Sequence, residues 1–101
     1  MKLEMSVENK NGVKILSAEG RIDTVTAQEF EKKLMEELRG TPSLRVDLEQ
    51  VAYVSSAGLR AFLNGQKYAN KEKLELVFAN VCDDVMEVLE MTGFADILTI
   101  E

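Results

Sequence analysis

The sequence contains no histidine and no tryptophan, a single cysteine and a single proline. Without histidine there is no Ser-His or Cys-His pair to activate a nucleophile, and no imidazole to bind a metal. Most hydrolase and zinc-enzyme chemistry is therefore excluded. Cys82 cannot form an internal disulfide, and we interpret it as a small residue near the start of a helix. These absences favour a binding module, and we expect no catalytic residues, no metal and no cofactor.

Positive charge is also scarce, because 12 Lys and Arg residues face 18 Asp and Glu residues, which gives a net charge of −6. Such a surface repels phosphate backbones and anionic lipids, so we expect neither a nucleic-acid nor a membrane partner. No apolar run approaches the roughly 18 residues of a membrane span. The segment Met1-Lys2-Leu3-Glu4 also lacks the apolar core of a signal peptide. We therefore expect a cytoplasmic protein.

The length and composition are those of one globular domain. The chain has 101 residues, of which 46% are hydrophobic and 30% charged. These proportions are ordinary for a folded soluble domain, and the length leaves little room for a second one. We predict a single domain over 1–101.

The alternation of apolar and polar residues predicts a β-hairpin at the start of the chain. Leu3, Met5 and Val7 alternate with polar neighbours, which is the period of a half-buried strand. Asn11-Gly12 suits the positive φ angles of a tight turn, and a second strand is predicted over 13–18. The segment 20–23 then leads towards a helix.

The first helix is predicted from residues spaced three and four apart. Thr26 and Glu29 have the spacing of a capping box, and Thr24 is an alternative cap. Gly40 and Pro42 end the helix. Its inward-facing residues are Ala27, Phe30, Leu34 and Leu38.

The rest of the chain continues to alternate strands with helices. Strands are predicted at 44–48 and 74–79, a short apolar group at 51–54, and a closing strand or extended tail at 97–100. A second helix is predicted from 55–56 to about 70, with Gly65 inside it. A third is predicted from Asp83 to Met91, with Val85, Val88 and Leu89 facing inward. This order predicts a small α/β domain with a mixed sheet of four to five strands and three or four helices, in which the hairpin is antiparallel and the other strands are mainly parallel.

One segment combines features that point to function. An apolar strand ends in Ser55-Ser56, and the small residues Ala57-Gly58 open the next helix. The first N–H groups of a helix lack internal acceptors, and the helix dipole is positive at that end. A serine there can cap the helix, and a phosphorylated serine would place a dianion where it is stabilised. Both roles are open for Ser56, whereas Ser55 is interpreted as a cap or turn residue.

The same segment resembles the signature of the STAS domain, as found in bacterial anti-sigma factor antagonists. The matching residues are Asp47-Leu48 in a strand, the pair Tyr53-Val54 and the run Ser55-Ser56-Ala57-Gly58-Leu59. The resemblance extends over nearly the whole chain, through Gly20-Arg21-Ile22-Asp23 and through Met91-Thr92-Gly93-Phe94 with Ile97 after it.

The resemblance implies a STAS fold and a non-enzymatic adaptor. The adaptor would bind an anti-sigma factor that is also a serine kinase, and so free the sigma factor for transcription. The kinase would switch the adaptor off by phosphorylating Ser56, and a serine phosphatase would reset it. We expect a monomer, with partner-binding residues Asp23, Ser55, Ser56, Ala57, Gly58 and Leu59.

Two positions depart from the common pattern of the family. Ser55 stands where Asp is frequent, and Ala57 stands where Ser or Thr is frequent. Asp23, which the resemblance places beside the phosphorylated serine, could also simply cap the first helix.

Other functions fit the segment less well. A hydrolase nucleophile elbow needs a glycine where this chain has Val54, and it needs a histidine. A nucleotide site is disfavoured because there is no Gly-rich phosphate loop with its lysine. The alternative that stays open is a STAS scaffold used without phosphorylation, or a nucleotide-sensing module, in another regulatory complex.

Overall fold

A mixed β-sheet with helices in the connections between its parallel strands forms the framework of the molecule. The structure is a computed structural model that describes residues 3–101; Met1 and Lys2, on which the signal-peptide argument partly rests, lie outside the described residues. The strands are β1 (Glu4–Lys10), β2 (Val13–Ile22), β3 (Ser43–Val54) and β4 (Glu75–Ala79). The helices are α1 (Ala27–Arg39), α2 (Ser56–Glu72) and α3 (Asp83–Met91), followed by a 3₁₀ turn, Phe94–Asp96. The predicted α/β class is confirmed.

The strands lie in the sheet in chain order, β1-β2-β3-β4. β1 and β2 are antiparallel, whereas β2, β3 and β4 are parallel to one another. α1 connects β2 to β3 and α2 connects β3 to β4, and the two helices pack against each other and against the sheet. As a result, the carboxyl ends of β2 and β3 lie side by side.

The hairpin forms as predicted. Asn11 and Gly12 have φ angles of 54° and 82°. Two consecutive positive φ angles in a two-residue loop are typical of the type I′ turn, whose twist matches that of the flanking strands. The turn therefore fixes the pairing of β1 with β2.

Two strands extend further than the sequence pattern predicts. β2 continues past residue 18 to Ile22, and the apolar group 51–54 is the end of β3 and not a separate segment. The pairing of β2 with β3 shifts register between Ser17 and Glu19 and again between Gly20 and Arg21. Such bulges interrupt the two-residue alternation by which strands are recognised in a sequence. The alternation therefore does not predict where β2 and β3 end.

The core lies between the helices and the sheet. Phe62 of α2 packs edge-on against Phe30 of α1, with ring centroids 5.5 Å apart, and its ring lies 4.9 Å from that of Phe78 in β4. The predicted inward face of α1 is buried throughout, at Ala27, Phe30, Leu34 and Leu38.

Helix α3 has the predicted bounds but a narrower buried face. Val85 and Leu89 are buried, whereas Val88, which was predicted to face inward, is 37% exposed. Because α3 has only nine residues, its buried face is narrow and consists mainly of Val85 and Leu89, which are one helical turn apart.

The segment after the 3₁₀ turn is an extended tail. Ile100 makes a single parallel bridge to Phe78 of β4, so the closing strand is reduced to one pair. The buried Gln66 of α2 accepts a hydrogen bond from the Thr99 N–H at 3.0 Å, which ties the tail to α2. Among residues 3–101, no helix has the length and apolar character that crossing a membrane requires.

Candidate functional site

The predicted site residues meet at the carboxyl ends of β2 and β3. Ile22 pairs with Val54 at the last position of the two strands. Asp23 follows Ile22, Ser55 follows Val54, and the Ser55 N–H donates to the Ile22 carbonyl at 2.8 Å. In open α/β sheets this edge of parallel strands is where ligands bind. The structure therefore brings together two segments that are about thirty residues apart in sequence.

Ser55 is the cap of helix α2. Its backbone is extended, with φ −84° and ψ 175°, and its Oγ accepts a hydrogen bond from the Gly58 N–H at 3.2 Å. Asn, Asp, Ser and Thr are the residue types that most often satisfy the unpaired amides at a helix start in this way. The capping role that the sequence left open between two serines thus belongs to Ser55.

Ser56 is the first residue of α2 and is exposed. Within residues 3–101, its hydroxyl forms no hydrogen bond with any side chain or backbone group. It is therefore accessible to an approaching protein, and it is not needed to cap the helix.

Gly58 lets the first turn of α2 lie directly on the two strand ends. A Cβ atom at this position would be 2.7 Å from Val54 Cγ1 and 2.8 Å from Ile22 Cγ2. Both distances are shorter than the van der Waals contact of two carbon atoms. The close approach allows the main-chain bonds that hold Ser55 and, through it, Ser56.

Two of the predicted partner-binding residues are mostly buried. Gly58 is buried, and Leu59 is only 6% exposed. Gly58 therefore offers almost no surface to a partner, whereas Leu59 reaches the surface only where it lines a groove, and the predicted contact of both residues with a partner stays a prediction. Gly58 packs the first turn of α2 against Val54 and Ile22. Ala57 is half-buried and remains at the surface next to it.

Asp23 organises the turn that leads into α1. Its Oδ1 accepts hydrogen bonds from the Val25 N–H at 3.0 Å and the Thr26 N–H at 2.9 Å. In return, Thr26 Oγ1 accepts from the Asp23 N–H at 2.9 Å. This is the reciprocal arrangement of a capping box, formed in the turn before α1.

Thr26 is the N-cap residue of α1, as the sequence predicts, but its side chain makes no capping hydrogen bond, so the predicted capping box with Glu29 is wrong, as is the alternative cap at Thr24. The chain already turns helically before α1, because the Ala27 N–H donates to the Asp23 carbonyl at 2.9 Å. Thr26 lies immediately before α1, and its hydroxyl donates to the Arg21 carbonyl at 2.7 Å. The spacing of the motif was correct, but it is shifted by three residues.

The hydrogen bonds to Asp23 stabilise its ionised form. The Thr26 N–H has the largest effect and lowers the pKa of the Asp23 carboxyl below its ordinary value of 3.8; partial burial opposes this, and the Val25 N–H adds to it. Asp23 is thus a carboxylate at neutral pH, and it is committed to the turn beside the site.

We expect Asp23 to make the stability of the protein depend on pH in acid. Because its pKa is lowered by folding, its contribution is present above about pH 4 and is lost as the pH falls through the folded-state value. Asp23→Asn should remove this part of the pH dependence, as measured by urea unfolding from pH 7 to pH 2.5. Glu8→Gln, an exposed change on β1, is the control for the loss of one acidic group. A profile for Asp23→Asn that parallels the parent profile would contradict this role.

Exposed apolar and aromatic side chains flank the strand ends. Val25 is 85% exposed in the turn after Asp23. Tyr53, at the end of β3, is 41% exposed, and the Arg21 guanidinium lies 4.1 Å from the centre of its ring. Sequence reasoning missed Val25, although an apolar residue between two threonines, outside the helical periodicity, is a signal that could have revealed it.

A surface groove of about 280 Å³ begins at Ser56 and runs between α2 and the segment after α3. Its lining residues are Ser56, Leu59, Arg60, Leu63, Thr92 and Phe94. A larger hollow of about 470 Å³ lies along α1, and the residues that line it include none of the predicted site residues. Within residues 3–101, no three His, Cys, Asp or Glu side chains are grouped so as to hold a metal ion.

Comparison with known proteins identifies a family and several relatives that are similar to this chain. Residues 4–101 match the model of a family described as the STAS domain. The chain is 32% identical over 83 residues to the anti-sigma-B factor antagonist of Listeria monocytogenes, an alignment that covers 81% of this chain and 73% of the relative.

Two solved structures show the same fold. An anti-sigma factor antagonist from Mycobacterium paratuberculosis superposes with a TM-score of 0.80 at 25% identity, over 98% of this chain and 85% of the other. The Bacillus cell fate determinant SpoIIAA in its phosphorylated form superposes with a TM-score of 0.71 at 11% identity, over 97% of this chain and 91% of the other. The mixed sheet and its helices are thus shared with regulatory proteins, one of which was solved carrying a phosphate.

Proposed function

This chain belongs to the STAS domain family of anti-sigma factor antagonists, and on that premise we propose that it binds an anti-sigma factor with serine kinase activity and is released by phosphorylation of Ser56. In this proposal the chain is a monomeric cytoplasmic adaptor with no enzymatic activity of its own. A serine phosphatase returns it to the binding state. The names of its relatives support the antagonist function, and the phosphorylation switch rests on the geometry around Ser56.

The observation that carries the proposal is the hydroxyl of Ser56, at the first residue of α2, which has no hydrogen-bond partner among residues 3–101. The neighbouring Ser55 already caps the helix, so a change at Ser56 Oγ costs the helix no hydrogen bond. A phosphate attached there lies beside amides and a helix dipole that favour negative charge. The fold can therefore accept the modification without rearrangement.

The modification itself is a transfer of one phosphoryl group. The kinase partner moves the γ-phosphoryl group of ATP to Ser56 Oγ; a P–O bond to serine forms, the P–O bond to the β-phosphate breaks, and ADP leaves. The hydroxyl proton passes to a base of the kinase or to solvent. The product carries about −1.5 to −2 charges at neutral pH.

The contact surface in this proposal surrounds Ser56 at the strand ends. Val25, in the Asp23 turn, and Tyr53, at the end of β3, offer exposed apolar area, and tyrosine is one of the residues that most often dominate binding at protein interfaces. Charge added in the middle of such a contact must be desolvated when the partner binds, which weakens the complex. A single modification can thus release the partner.

Mapping of the phosphorylated residue tests this proposal. The purified chain is incubated with ATP and the anti-sigma factor kinase of the same organism, and the phosphate is located by mass spectrometry. We expect one phosphate on Ser56 and no incorporation into Ser56→Ala. Ser55→Ala is the matched control, because it keeps the acceptor Ser56. It should lose about 1 kcal/mol of stability with the helix cap, and thermal unfolding followed by circular dichroism measures this loss. Phosphate on another residue, retained in Ser56→Ala, would refute the assignment.

A further inference from the structure

The groove that begins at Ser56 also contains Arg60. The two residues are one helical turn apart on α2, and both line the groove. Side chains four positions apart on a helix are neighbours that can form an ion pair. A group attached to Ser56 Oγ is therefore within the range of the Arg60 guanidinium.

Arg60 is exposed, and within residues 3–101 it has no ion-pair partner and no hydrogen bond to another side chain. Two of the other arginines of the molecule are engaged. Arg21 lies over the Tyr53 ring, and Arg45 pairs with Glu101. The guanidinium at the groove is thus available for an anion.

The other polar group of the groove is already used. The Thr92 hydroxyl donates to the Val88 carbonyl at 2.8 Å, within the last turn of α3. The remaining lining residues, Leu59, Leu63 and Phe94, offer no polar side-chain atom. Apart from Ser56 itself, Arg60 is therefore the side chain of the groove that can donate hydrogen bonds to an anion.

We propose that Arg60 is the positioning residue of the phosphorylated state, and that its guanidinium binds the phosphoryl group on Ser56 and holds it in the groove between α2 and Phe94. This inference rests on the proposed phosphorylation of Ser56. The planar guanidinium presents donors that match two phosphate oxygens at once. The phosphate then lies in a defined place on the surface, where it blocks the groove, instead of moving freely in solvent.

The experiment uses protein in which phosphoserine is inserted at position 56 during synthesis, so that neither a kinase nor a partner is needed. The second pKa of the phosphate is measured by ³¹P NMR titration. A neighbouring cation stabilises the dianion, so Arg60→Gln should raise this pKa by about half a unit, which is the size expected of a surface ion pair. Arg60→Lys keeps the positive charge but loses the paired N–H donors of the guanidinium. It should give a phosphate pKa between those of the parent and Arg60→Gln.

Lys67→Gln is the matched control. It removes one positive charge from an exposed position of the same helix, about three turns away from the phosphate on Ser56. It should leave the phosphate pKa unchanged. Equal pKa values in the parent, Arg60→Gln and Lys67→Gln would overturn the role of Arg60. That result is distinguishable from failure of the proposed function, because the mapped phosphate on Ser56 would still stand.

Discussion

Phosphorylation of Ser56 should weaken the binding of this chain to its anti-sigma factor by roughly 30–150-fold, which corresponds to about 2–3 kcal/mol. The hydroxyl is exposed and free of hydrogen bonds within residues 3–101, so the modification acts on the partner contact and leaves the fold unchanged. Isothermal titration calorimetry with the phosphoserine-56 protein measures the loss directly. Ser56→Asp adds only one charge, and we expect it to change the affinity in the same direction by a smaller factor.

Two variants control for this result. Ser56→Ala should bind as tightly as the parent, because it removes the acceptor without adding charge. Ser6→Asp adds a charge at an exposed position of β1, in another part of the sheet, and should also leave binding intact. If phosphorylated and unmodified chains bind equally well, the switch is refuted and the phosphorylation-independent scaffold becomes the better description.

Gly58→Ala should lower the free energy of unfolding by about 2 kcal/mol, a decrease in Tm of roughly 10 °C for a domain of this size. The added Cβ would lie 2.7 Å from Val54 Cγ1, 2.8 Å from Ile22 Cγ2 and 3.1 Å from the Ile22 carbonyl oxygen. The carbonyl belongs to the backbone of β2 and accepts the Ser55 N–H, so α2 itself must move. This shift outweighs the gain in helix propensity, which is about 1 kcal/mol at most.

Gly40→Ala separates this steric effect from the general effect of replacing glycine. Gly40 has φ −100°, and a Cβ there would lie 3.3 Å from the flexible end of Lys14 and 3.8 Å from the Glu37 carbonyl oxygen, which is an ordinary contact distance. We expect a change below about 0.5 kcal/mol for this variant. Thermal unfolding followed by circular dichroism compares the two. Equal stability of Gly58→Ala and Gly40→Ala would show that α2 does not depend on the close approach at Gly58.

The sequence predicted the fold well where hydrophobic periodicity was regular. The inward face of α1, the hairpin turn at Asn11-Gly12 and the bounds of α3 follow from local patterns. The carboxyl ends of β2 and β3 could not be predicted from such patterns, because the bulges near Gly20 break the alternation of side chains. Strand pairing across a bulge is a tertiary property, and no local window of sequence contains it.

The site was predicted in part for the same reason. The run from Ser55 to Leu59 is contiguous, so its position at a helix start could be inferred, whereas the assignment of the cap to Ser55 required the geometry. Arg60 could not be singled out, because the groove depends on Thr92 and Phe94, more than thirty positions further along the chain. Residues that only tertiary packing brings together show no characteristic spacing in the sequence.

The bond from the Ser55 amide to the Ile22 carbonyl has an evolutionary consequence. Main-chain atoms, which every residue carries, hold Ser55, the residue before the proposed acceptor Ser56. Surface residues such as Val25 and Tyr53 can then be exchanged without moving that serine. If Ser56 is the acceptor that we propose, related chains can therefore diverge at their contact surfaces and still present the acceptor in the same place.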